Sequence, residues 1–574
     1  MARTVDLDRV VLIVLRQMRG PVLLLIVIYA VGITVMALLP GSGPAGGRMS
    51  LFHAFYFLTY TTTTTGFGEI PEAFSELQRL WAIFCLFMGV IGWLYAVGSI
   101  IQLVQNPHFR QALAERNFAN SVKRIAQPFF IVCGFGDTGS LLARGLSDEG
   151  WVGVIIDSEP DRIKALGLRD YQVTMVGTCA DASVPRHLLD AGIKHPLCRG
   201  VVALTNNEHI NLKIAVMARF LNPAVRVVSR STDPRHQEEL AMLEAVEVVD
   251  PFDSFACQLS AAVHVPLLNV LTDWLIGARD VDLDEPPQLP RGIWILCGYG
   301  RMGKHLHEEL RKLDIPLIVI DPQMEDADTV KQKIIGHTTD KALRQARIEQ
   351  AVGIVAGTDS DSNNLSILLR SRALNKDIFR VVRQNRHEHE IAFNAAHAHL
   401  IMQPSLVTAR RILLMLIAPL IHPFLEHLRQ HHVIVLESLV HRLKKAVGKG
   451  KPQLWTTEIT PTDAMAVAHL QERGYAVTVG DICRSPADRK QLLGCVPMVL
   501  ARREQTVMLP QTGQLLEQGD HILFCGTLQA KRLLEATLNN PYTLHYLITG
   551  TEEPRSYLFR WLERRRSQVF SASD

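Results

Sequence analysis

The sequence predicts a membrane-embedded α-helical module with two spans, followed by an α/β region of two tandem Rossmann-like domains and a C-terminal α+β subdomain. Three observations carry this prediction: two long apolar runs without charged residues, two glycine-rich loops that each follow a predicted strand, and a constant spacing between the two copies. The 574-residue chain is 48% hydrophobic and 20% charged, with a net charge of +3. Disorder and nucleic-acid binding are therefore not expected. The nine cysteines form no paired pattern, which favours reduced thiols.

The membrane module is predicted near the N-terminus. The uncharged runs 21–39 and 80–104 both reach the roughly 20 residues that a helix needs to cross the hydrocarbon core. The apolar segment between them is too short to span, and it fits a re-entrant pore helix followed by a loop. Basic residues lie before the first run and after the second, and the positive-inside rule therefore predicts that both termini are cytoplasmic. The basic residues are Arg9, Arg16, Arg19, Arg110, Arg116, Lys123 and Arg124.

The loop between the spans holds the most specific motif of the chain, in which five threonines precede Gly66-Phe67-Gly68-Glu69. Glycines allow consecutive carbonyl groups to face one axis, so that oxygens from several chains can replace the hydration shell of an ion. The motif closely resembles the selectivity filter of potassium channels, in which threonine precedes Val-Gly-Tyr/Phe-Gly. The resemblance implies K⁺ as the permeant ion and a filter made of Thr64, Thr65, Gly66, Phe67 and Gly68. That family usually has valine where this chain has Thr65, so selective and non-selective cation conduction both stay open.

The second span contains three glycines that could let the helix bend, namely Gly89, Gly92 and Gly98. Packing against a neighbouring helix is an equally good reason for each of them. We expect Gly89 to be the gating hinge, because it lies near the middle of the span.

Beyond residue 127, buried strands alternate with helices, which is typical of an α/β region. A GxGxxG loop follows a strand at 134–139 and again at 298–303, and an acid ends the next strand about 20 residues later. This is the context of dinucleotide binding. Gly134 and Gly298 lie 164 positions apart, as do Asp157 and Asp321. Further on, a constant difference of 153 positions joins Thr205 to Thr358, Arg230 to Arg383 and Pro251 to Pro404, so the repeat includes the helices after each sheet.

The candidate nucleotide-binding residues form two equivalent sets. The first set is Gly134, Gly136, Asp137, Thr138, Gly139, Asp157, Thr205 and Arg230. The second set is Gly298, Gly300, Arg301, Met302, Gly303, Asp321, His337, Thr338, Thr358 and Arg383. A carboxylate beside a pyrophosphate is unfavourable and an arginine is favourable, so we expect the second copy to bind phosphate better. The strand-end acids accept ribose hydroxyls and repel a 2′-phosphate, which predicts NAD(H) or an adenine nucleotide as a regulatory ligand.

The glycine loops, the strand-end acids and the stretches 203–212 and 356–365 resemble RCK (KTN, TrkA-N-like) domains, which regulate K⁺ conductance. The stretch 509–526 resembles the smaller RCK-C subdomain. With the filter, the whole chain resembles two-transmembrane bacterial potassium channels with tandem RCK domains, of the GsuK type and related to the BK gating ring. The resemblance implies a homotetramer with a ring of eight RCK domains, in the lipid bilayer of the bacterial inner membrane.

The expected domain boundaries follow from these motifs. They are a cytoplasmic N-terminus at 1–20, a pore module at 21–104 (spans 21–39 and 80–104, pore helix and filter 50–69), a linker at 105–127, a first RCK domain at 128–285, a second RCK Rossmann domain with crossover helices at 291–435, an RCK-C subdomain at 450–548 and a tail at 549–574.

The favoured function is a nucleotide-gated potassium channel. The alternatives are a nucleotide-regulated non-selective cation channel and a regulatory protein of a potassium-uptake system. An NAD-dependent enzyme is not expected, because no separate domain supplies a placed acid or base. The acidic run 280–285 makes Ca²⁺ possible, although it lacks the spacing of an EF-hand loop, and the identity of any metal ligand stays unknown.

Overall fold

A computed structural model of the protein describes residues 5–42, 47–70, 72–243, 245–275, 290–324, 330, 332–386, 389–430, 433–448, 450–503 and 505–552. The order of its elements confirms the predicted fold class: apolar helices come first, two parallel sheets follow, and a small antiparallel sheet comes last.

The N-terminal part is all α-helical. Its helices are α1 (Val5–Leu38), α2 (Leu51–Thr62), α3 (Glu76–Gln105) and α4 (Pro107–Lys123). Within the described residues, Val11–Leu38 and Glu76–Gln105 are long and apolar enough to cross a membrane. The short helix α2 packs against both of them, around a core of Met36, Ala54, Phe57, Tyr60 and Phe74.

Local capping explains where these helices begin. The Ser50 hydroxyl accepts the His53 N–H at the start of α2, and Ser75 and Gln78 form a reciprocal capping box at the start of α3. Helix α4 occupies the stretch that the sequence predicts only as a linker. Asn106 caps it and Pro107 is its first residue, a pairing typical of helix starts.

The first α/β domain contains a six-stranded parallel sheet in the order β3-β2-β1-β4-β5-β6, the doubly wound order of a dinucleotide-binding fold. The strands are β1 (Phe129–Cys133), β2 (Val152–Asp157), β3 (Met175–Cys179), β4 (Cys198–Ala203), β5 (Arg226–Arg230) and β6 (Val246–Val249). The helices are α5 (Asp137–Asp148), α6 (Pro160–Leu168), α7 (Pro185–Asp190), α8 (Glu208–Leu221), α9 (Pro234–Ala241), α10 (Pro251–His264) and α11 (Pro266–Leu275).

The second α/β domain repeats this topology, with the order β12-β11-β10-β7-β8-β9. Its strands are β7 (Trp294–Cys297), β8 (Leu317–Asp321), β9 (Lys333–Ile335), β10 (Gly353–Ala356), β11 (Phe379–Arg383) and β12 (Leu400–Met402). Its helices are α12 (Arg301–Lys312), α13 (Asp340–Gln345), α14 (Asp361–Leu374), α15 (Glu390–Ala395), α16 (Pro404–Ile417), α17 (Ile421–Gln430) and α18 (Val433–Val447).

The C-terminal subdomain is α+β, with the antiparallel order β13-β16-β14-β15. Its strands are β13 (Gln453–Glu458), β14 (Cys495–Arg502), β15 (Gln505–Met508) and β16 (His521–Gly526). Its helices are α19 (Met465–Glu472), α20 (Val479–Ile482), α21 (Leu528–Leu538) and α22 (Pro541–Thr549).

The two Rossmann domains exchange the helices that follow their sheets. Helix α16 of the second repeat packs on α5 of the first, where Ile412 and Leu416 join the core that contains Leu142. Helix α10 of the first repeat packs on α12 of the second, where Phe255 joins the core that contains Leu306. Helix α16 is therefore buried against the first repeat, although it belongs to the second.

Candidate functional site

The segment 63–68, which follows α2, has no regular secondary structure. Thr64, Gly66 and Gly68 have φ values of 59°, 69° and 89°, so every second residue lies in the left-handed region. Alternation of left- and right-handed residues makes successive peptide groups point the same way, which a ring of ion-binding carbonyls requires. Glycine adopts this conformation without steric cost, whereas a threonine is strained there by about 1–3 kcal/mol.

The predicted filter segment, residues 64–68, is held by the last turn of α2. The Tyr60 carbonyl accepts the N–H groups of Thr65 and Gly66 at 2.9 and 3.4 Å, and the Tyr60 hydroxyl donates to the Gly68 carbonyl. The Thr65 hydroxyl lies 3.1 Å from the Thr63 hydroxyl. The extra oxygen that distinguishes Thr65 from valine is therefore hydrogen-bonded.

An ion pair follows the filter segment. The Glu69 carboxylate accepts from Arg79 Nε at 2.8 Å, from Arg79 Nη2 at 3.2 Å and from the Phe74 N–H at 2.9 Å. This pairing fixes the residue directly after Gly68 to the start of α3.

Gly89, the predicted hinge, lies against the end of α2, the predicted pore helix. A Cβ atom at Gly89 would lie 2.2 Å from Thr62 Cγ2. A Cβ atom at Gly92 would lie 2.7 Å from Ile28 Cδ1, whereas a Cβ atom at Gly98 would have nothing within 4 Å. Close packing therefore accounts for Gly89 and Gly92, and bending at Gly89 stays a prediction.

The two glycine-rich loops have the same geometry. Gly298 has a φ of 102°, and a Cβ atom at Gly303 would lie 2.2 Å from the Gly298 carbonyl oxygen, so α12 can approach the strand only without a side chain there. Gly134 and Gly139 repeat both features in the first copy. A Cβ atom at Gly300 would meet nothing within 4 Å, which leaves the loop open to a pyrophosphate at the start of the helix.

The strand-end acids are held in the same way but differ in their partners. The Asp321 carboxylate accepts the N–H groups of Tyr299 and Gln323, each at 2.7 Å. Asp157 accepts the two equivalent main-chain N–H groups and also pairs with Arg162 Nη1 at 3.4 Å. Asp157 is buried, whereas Asp321 is partly exposed. The second carboxylate is therefore the more accessible one for a ribose.

Each loop opens into a cavity, and the second is larger, at about 510 Å³ against about 300 Å³. The second cavity is lined by all ten residues of the predicted set, Gly298, Gly300, Arg301, Met302, Gly303, Asp321, His337, Thr338, Thr358 and Arg383. The first is lined by Gly134, Gly136, Asp157 and Thr205, but not by Asp137, Thr138, Gly139 or Arg230. Met302 is 1% exposed, because its side chain packs into the core that contains Leu306.

A buried asparagine positions the loop after the fourth strand in each copy. Asn364 Oδ1 accepts the N–H and hydroxyl of Thr358 at 2.9 and 2.6 Å. Its Nδ2 donates to the carbonyls of Thr358 and Arg383 at 3.0 and 2.9 Å. Asn211 makes the same four hydrogen bonds in the first copy. The repeat spacing reveals this pair, but its role becomes visible only in the structure.

The second cavity is also lined by Phe252, which lies at the start of α10 and therefore belongs to the first repeat. The guanidinium groups of Arg301 and Arg383 lie 4.9 and 5.7 Å from its ring centre. Arg301 Nη1 also donates to Thr232 Oγ1 of the first repeat at 2.7 Å. Burial lowers the pKa of Arg383, and the nearby Arg301 lowers it further. Sequence reasoning missed Phe252, because its repeat equivalent is a serine.

An acid at the start of the helix after the fourth strand organises the neighbouring loop. Asp361 accepts from His389 Nδ1 at 2.7 Å and from the N–H groups of Asn385 and Arg386 at 2.8 and 3.0 Å. Burial alone would raise the pKa of Asp361, but these hydrogen bonds outweigh burial and lower it. Glu208 occupies the equivalent position, and its pKa is lowered for the same reason.

Within the described residues, no group of three or more His, Cys, Asp or Glu side chains could hold a metal ion. The acidic run 280–285 lies outside the described residues, so the structure gives no support for Ca²⁺.

Comparison with protein families gives two kinds of match. Residues 22–106 match an ion channel domain, and residues 130–251 and 294–404 each match a TrkA-N domain. The two TrkA-N matches correspond to the two parallel sheets, and the ion channel match corresponds to α1, α2 and α3.

Potassium channel protein 1 of Methanocaldococcus jannaschii is 28% identical over 203 residues, which is 35% of this chain and 59% of the relative. The voltage-gated potassium channel Kch of Escherichia coli is 28% identical over 205 residues, which is 35% of this chain and 47% of the relative. The chain thus spans less than two thirds of these relatives. Among solved structures, the GsuK channel bound to NAD has a TM-score of 0.46 and 16% identity, and the match covers 92% of this chain and 100% of that one.

Proposed function

We propose that this chain forms a K⁺ channel gated by a nucleotide. The premise is that it is a homologue of archaeal and bacterial potassium channels with RCK domains. The observation that carries the pore assignment is the alternating left-handed backbone of Thr64, Gly66 and Gly68. It lies between two helices that are long enough to cross a membrane.

One chain supplies one filter strand, and an ion needs a ring of carbonyls. We therefore propose a homotetramer with cyclic symmetry, in which four chains with two TrkA-N domains each form a ring of eight. The basic residues that flank the two spans favour an orientation with both termini in the cytoplasm. The membrane is the inner membrane of a bacterium, and the domain boundaries are those given by the motifs.

The proposed ligand site is the second cavity. The glycine loop and the start of α12 would hold a pyrophosphate, and Asp321 retains free lone pairs for two ribose hydroxyls. The same carboxylate repels a 2′-phosphate, so NAD(H) or an adenine nucleotide should bind better than NADP(H). The first cavity is smaller, and Arg162 already pairs with its carboxylate.

The nucleotide acts on the pore only if it binds the open and closed rings with different affinities. We propose that the nucleotide is an effector and leaves chemically unchanged, because the described residues that line the cavity are mainly those of the glycine loop and the strand ends.

Ion flux into liposomes that contain the purified full-length chain tests the pore assignment. We expect K⁺ uptake by the wild type and none by the double variant Gly66→Asp, Gly68→Asp. A conducting double variant would refute the filter assignment. A reversal potential near zero in a K⁺/Na⁺ gradient would instead favour a non-selective cation channel, and the absence of wild-type flux would favour a regulatory protein.

Calorimetry on the full-length chain in detergent, with NAD⁺, NADH, NADPH, ATP and ADP, tests the ligand site. Asp321→Ala removes two hydrogen bonds to a charged acceptor, each worth about 1.5–3 kcal/mol, and should weaken binding by about a hundredfold or more. Asp157→Ala is the matched control and should have little effect. Unchanged affinity in Asp321→Ala would show that the site lies elsewhere.

A further inference from the structure

Tyr60 contacts the filter segment at both of its ends. Its main-chain carbonyl accepts the N–H groups of Thr65 and Gly66, near the start of the segment. Its hydroxyl reaches the end of the segment and donates to the carbonyl of Gly68. A single residue of α2 thus spans the proposed filter from one side.

The Tyr60 side chain is held in this position by other rings. It is 5% exposed and makes edge-to-face contacts with Tyr56, Phe57 and Phe67, with ring centres 5.4–5.6 Å apart. Such contacts fix the ring plane. The hydroxyl therefore has little freedom to leave the Gly68 carbonyl.

The side chain of Glu69 restrains the residue that follows the Gly68 carbonyl. Glu69, the next residue, is held by Arg79 and by the Phe74 N–H. Gly68 itself has a φ of 89°, and glycine offers little resistance to rotation of the adjoining peptide. The orientation of its carbonyl is therefore determined by what binds it, and within the described residues the Tyr60 hydroxyl is the group that binds it.

We propose that Tyr60 is a positioning residue for ion selectivity, which acts by setting the orientation of the outermost filter carbonyl. A carbonyl oxygen has two lone pairs, so the Gly68 oxygen can accept from Tyr60 and still present one lone pair to an ion. This inference rests on the proposed function of the chain as a cation channel. It adds a residue outside the filter motif that determines which ion the motif prefers.

The test compares Tyr60→Phe with Tyr56→Phe in liposomes that contain the full-length chain. Both changes remove one hydroxyl and keep the ring, but Tyr56 stacks on Phe67, and no hydroxyl bond is described for it. The reversal potential in a K⁺/Na⁺ gradient gives the permeability ratio. Loss of one hydrogen bond, converted at tenfold per 1.4 kcal/mol, predicts that the K⁺ preference of Tyr60→Phe falls about tenfold. Tyr56→Phe should match the wild type.

A second readout separates positioning from general stability. Raising external K⁺ should slow any decline of the Tyr60→Phe current, because an ion at the outermost site replaces the lost hydrogen bond to the carbonyl. Gel filtration checks that the variant assembles as the wild type does. If it does not, Glu69→Gln, which frees the same peptide unit from its other side, is measured in its place and should lose K⁺ preference in the same direction.

This inference would be overturned if the permeability ratio were unchanged in the assembled Tyr60→Phe variant, or in Glu69→Gln when that variant is used instead. The proposed function would still be upheld in that case if the wild type conducts cations. An equal change in Tyr56→Phe would also overturn this inference. A wild-type chain that passes no cation would remove the proposed function and this inference with it.

Discussion

Replacing Gly89 with alanine should loosen the packing between α3 and the pore helix α2. The new Cβ atom would lie 2.2 Å from Thr62 Cγ2. Thr62 is 1% exposed, and its hydroxyl is 2.7 Å from the Tyr29 hydroxyl, so its side chain has no free space to enter. Overpacking of this kind costs about 1–3 kcal/mol, and alanine returns about 1 kcal/mol through its higher helix propensity. The expected net loss is about 0–2 kcal/mol.

The matched control is Gly98→Ala in the same helix, where a Cβ atom would have nothing within 4 Å. This change should stabilise the helix by about 1 kcal/mol through propensity alone. Thermal denaturation of the purified protein in detergent, followed by the recovery of assembled protein on gel filtration, should therefore give shifts of opposite sign for the two variants.

A double variant makes the steric argument specific. Thr62→Ser removes the offending Cγ2 atom and keeps the hydroxyl that binds Tyr29. Gly89→Ala should then cost much less in the Thr62→Ser background than alone. Equal thermal shifts for Gly89→Ala and Gly98→Ala, or no relief by Thr62→Ser, would refute the reasoning.

The same background tests the hinge. With the clash relieved, Gly89→Ala should still reduce channel opening if the helix bends at this residue. Unchanged opening in the double variant would place the bend elsewhere.

Asn364→Ala should lower stability by about 1–3 kcal/mol, because the part-buried N–H group of Thr358 and carbonyl of Arg383 lose their hydrogen bonds to its side chain. It should weaken nucleotide binding more than Asn211→Ala, as calorimetry on both variants would detect. The lowered pKa of Asp361 adds stability that is fully present above about pH 4 and is lost as pH falls through the lowered pKa. In Asp361→Asn, the free energy of unfolding should therefore fall less steeply at acid pH. An unchanged acid dependence would contradict this role of Asp361. Ile412→Ala should destabilise the first α/β domain by about 2–5 kcal/mol although Ile412 belongs to the second repeat, which hydrogen exchange localised to β1 and α5 can verify.

Much of the architecture could be predicted because it depends on composition and spacing. The two spans follow from uncharged length, and the tandem sheets follow from strands that precede glycine loops at a fixed offset. Helix α4 could not be predicted in this way. Its sequence is neither a long uncharged run nor part of a repeated glycine loop. Asn106 followed by Pro107 is typical of a helix start, but these two residues alone do not define a helix.

The lining of the second cavity was predictable residue by residue, because the ten residues belong to a local motif or a strand end. The first was predicted less well, since Arg230 and the start of α5 do not line the first cavity. Phe252, Arg162 and Tyr60 were missed because none of them belongs to a glycine loop, a strand end or a repeated position. Their roles depend on side-chain contacts with Arg301, Asp157 and the Gly68 carbonyl, which the spacing of one sequence does not indicate.

The exchange of α10 and α16 also limits how the chain can be divided. A fragment that ends in the segment between the two repeats would lack α16, and the apolar face of α5 that contains Leu142 and Leu146 would then lie open to water. A fragment that begins there would lack α10 and expose Leu306 on α12. Neither half is therefore a self-sufficient folding unit. Two halves produced together should recombine into one particle, and a protease that cuts between them should nick the chain without releasing either part.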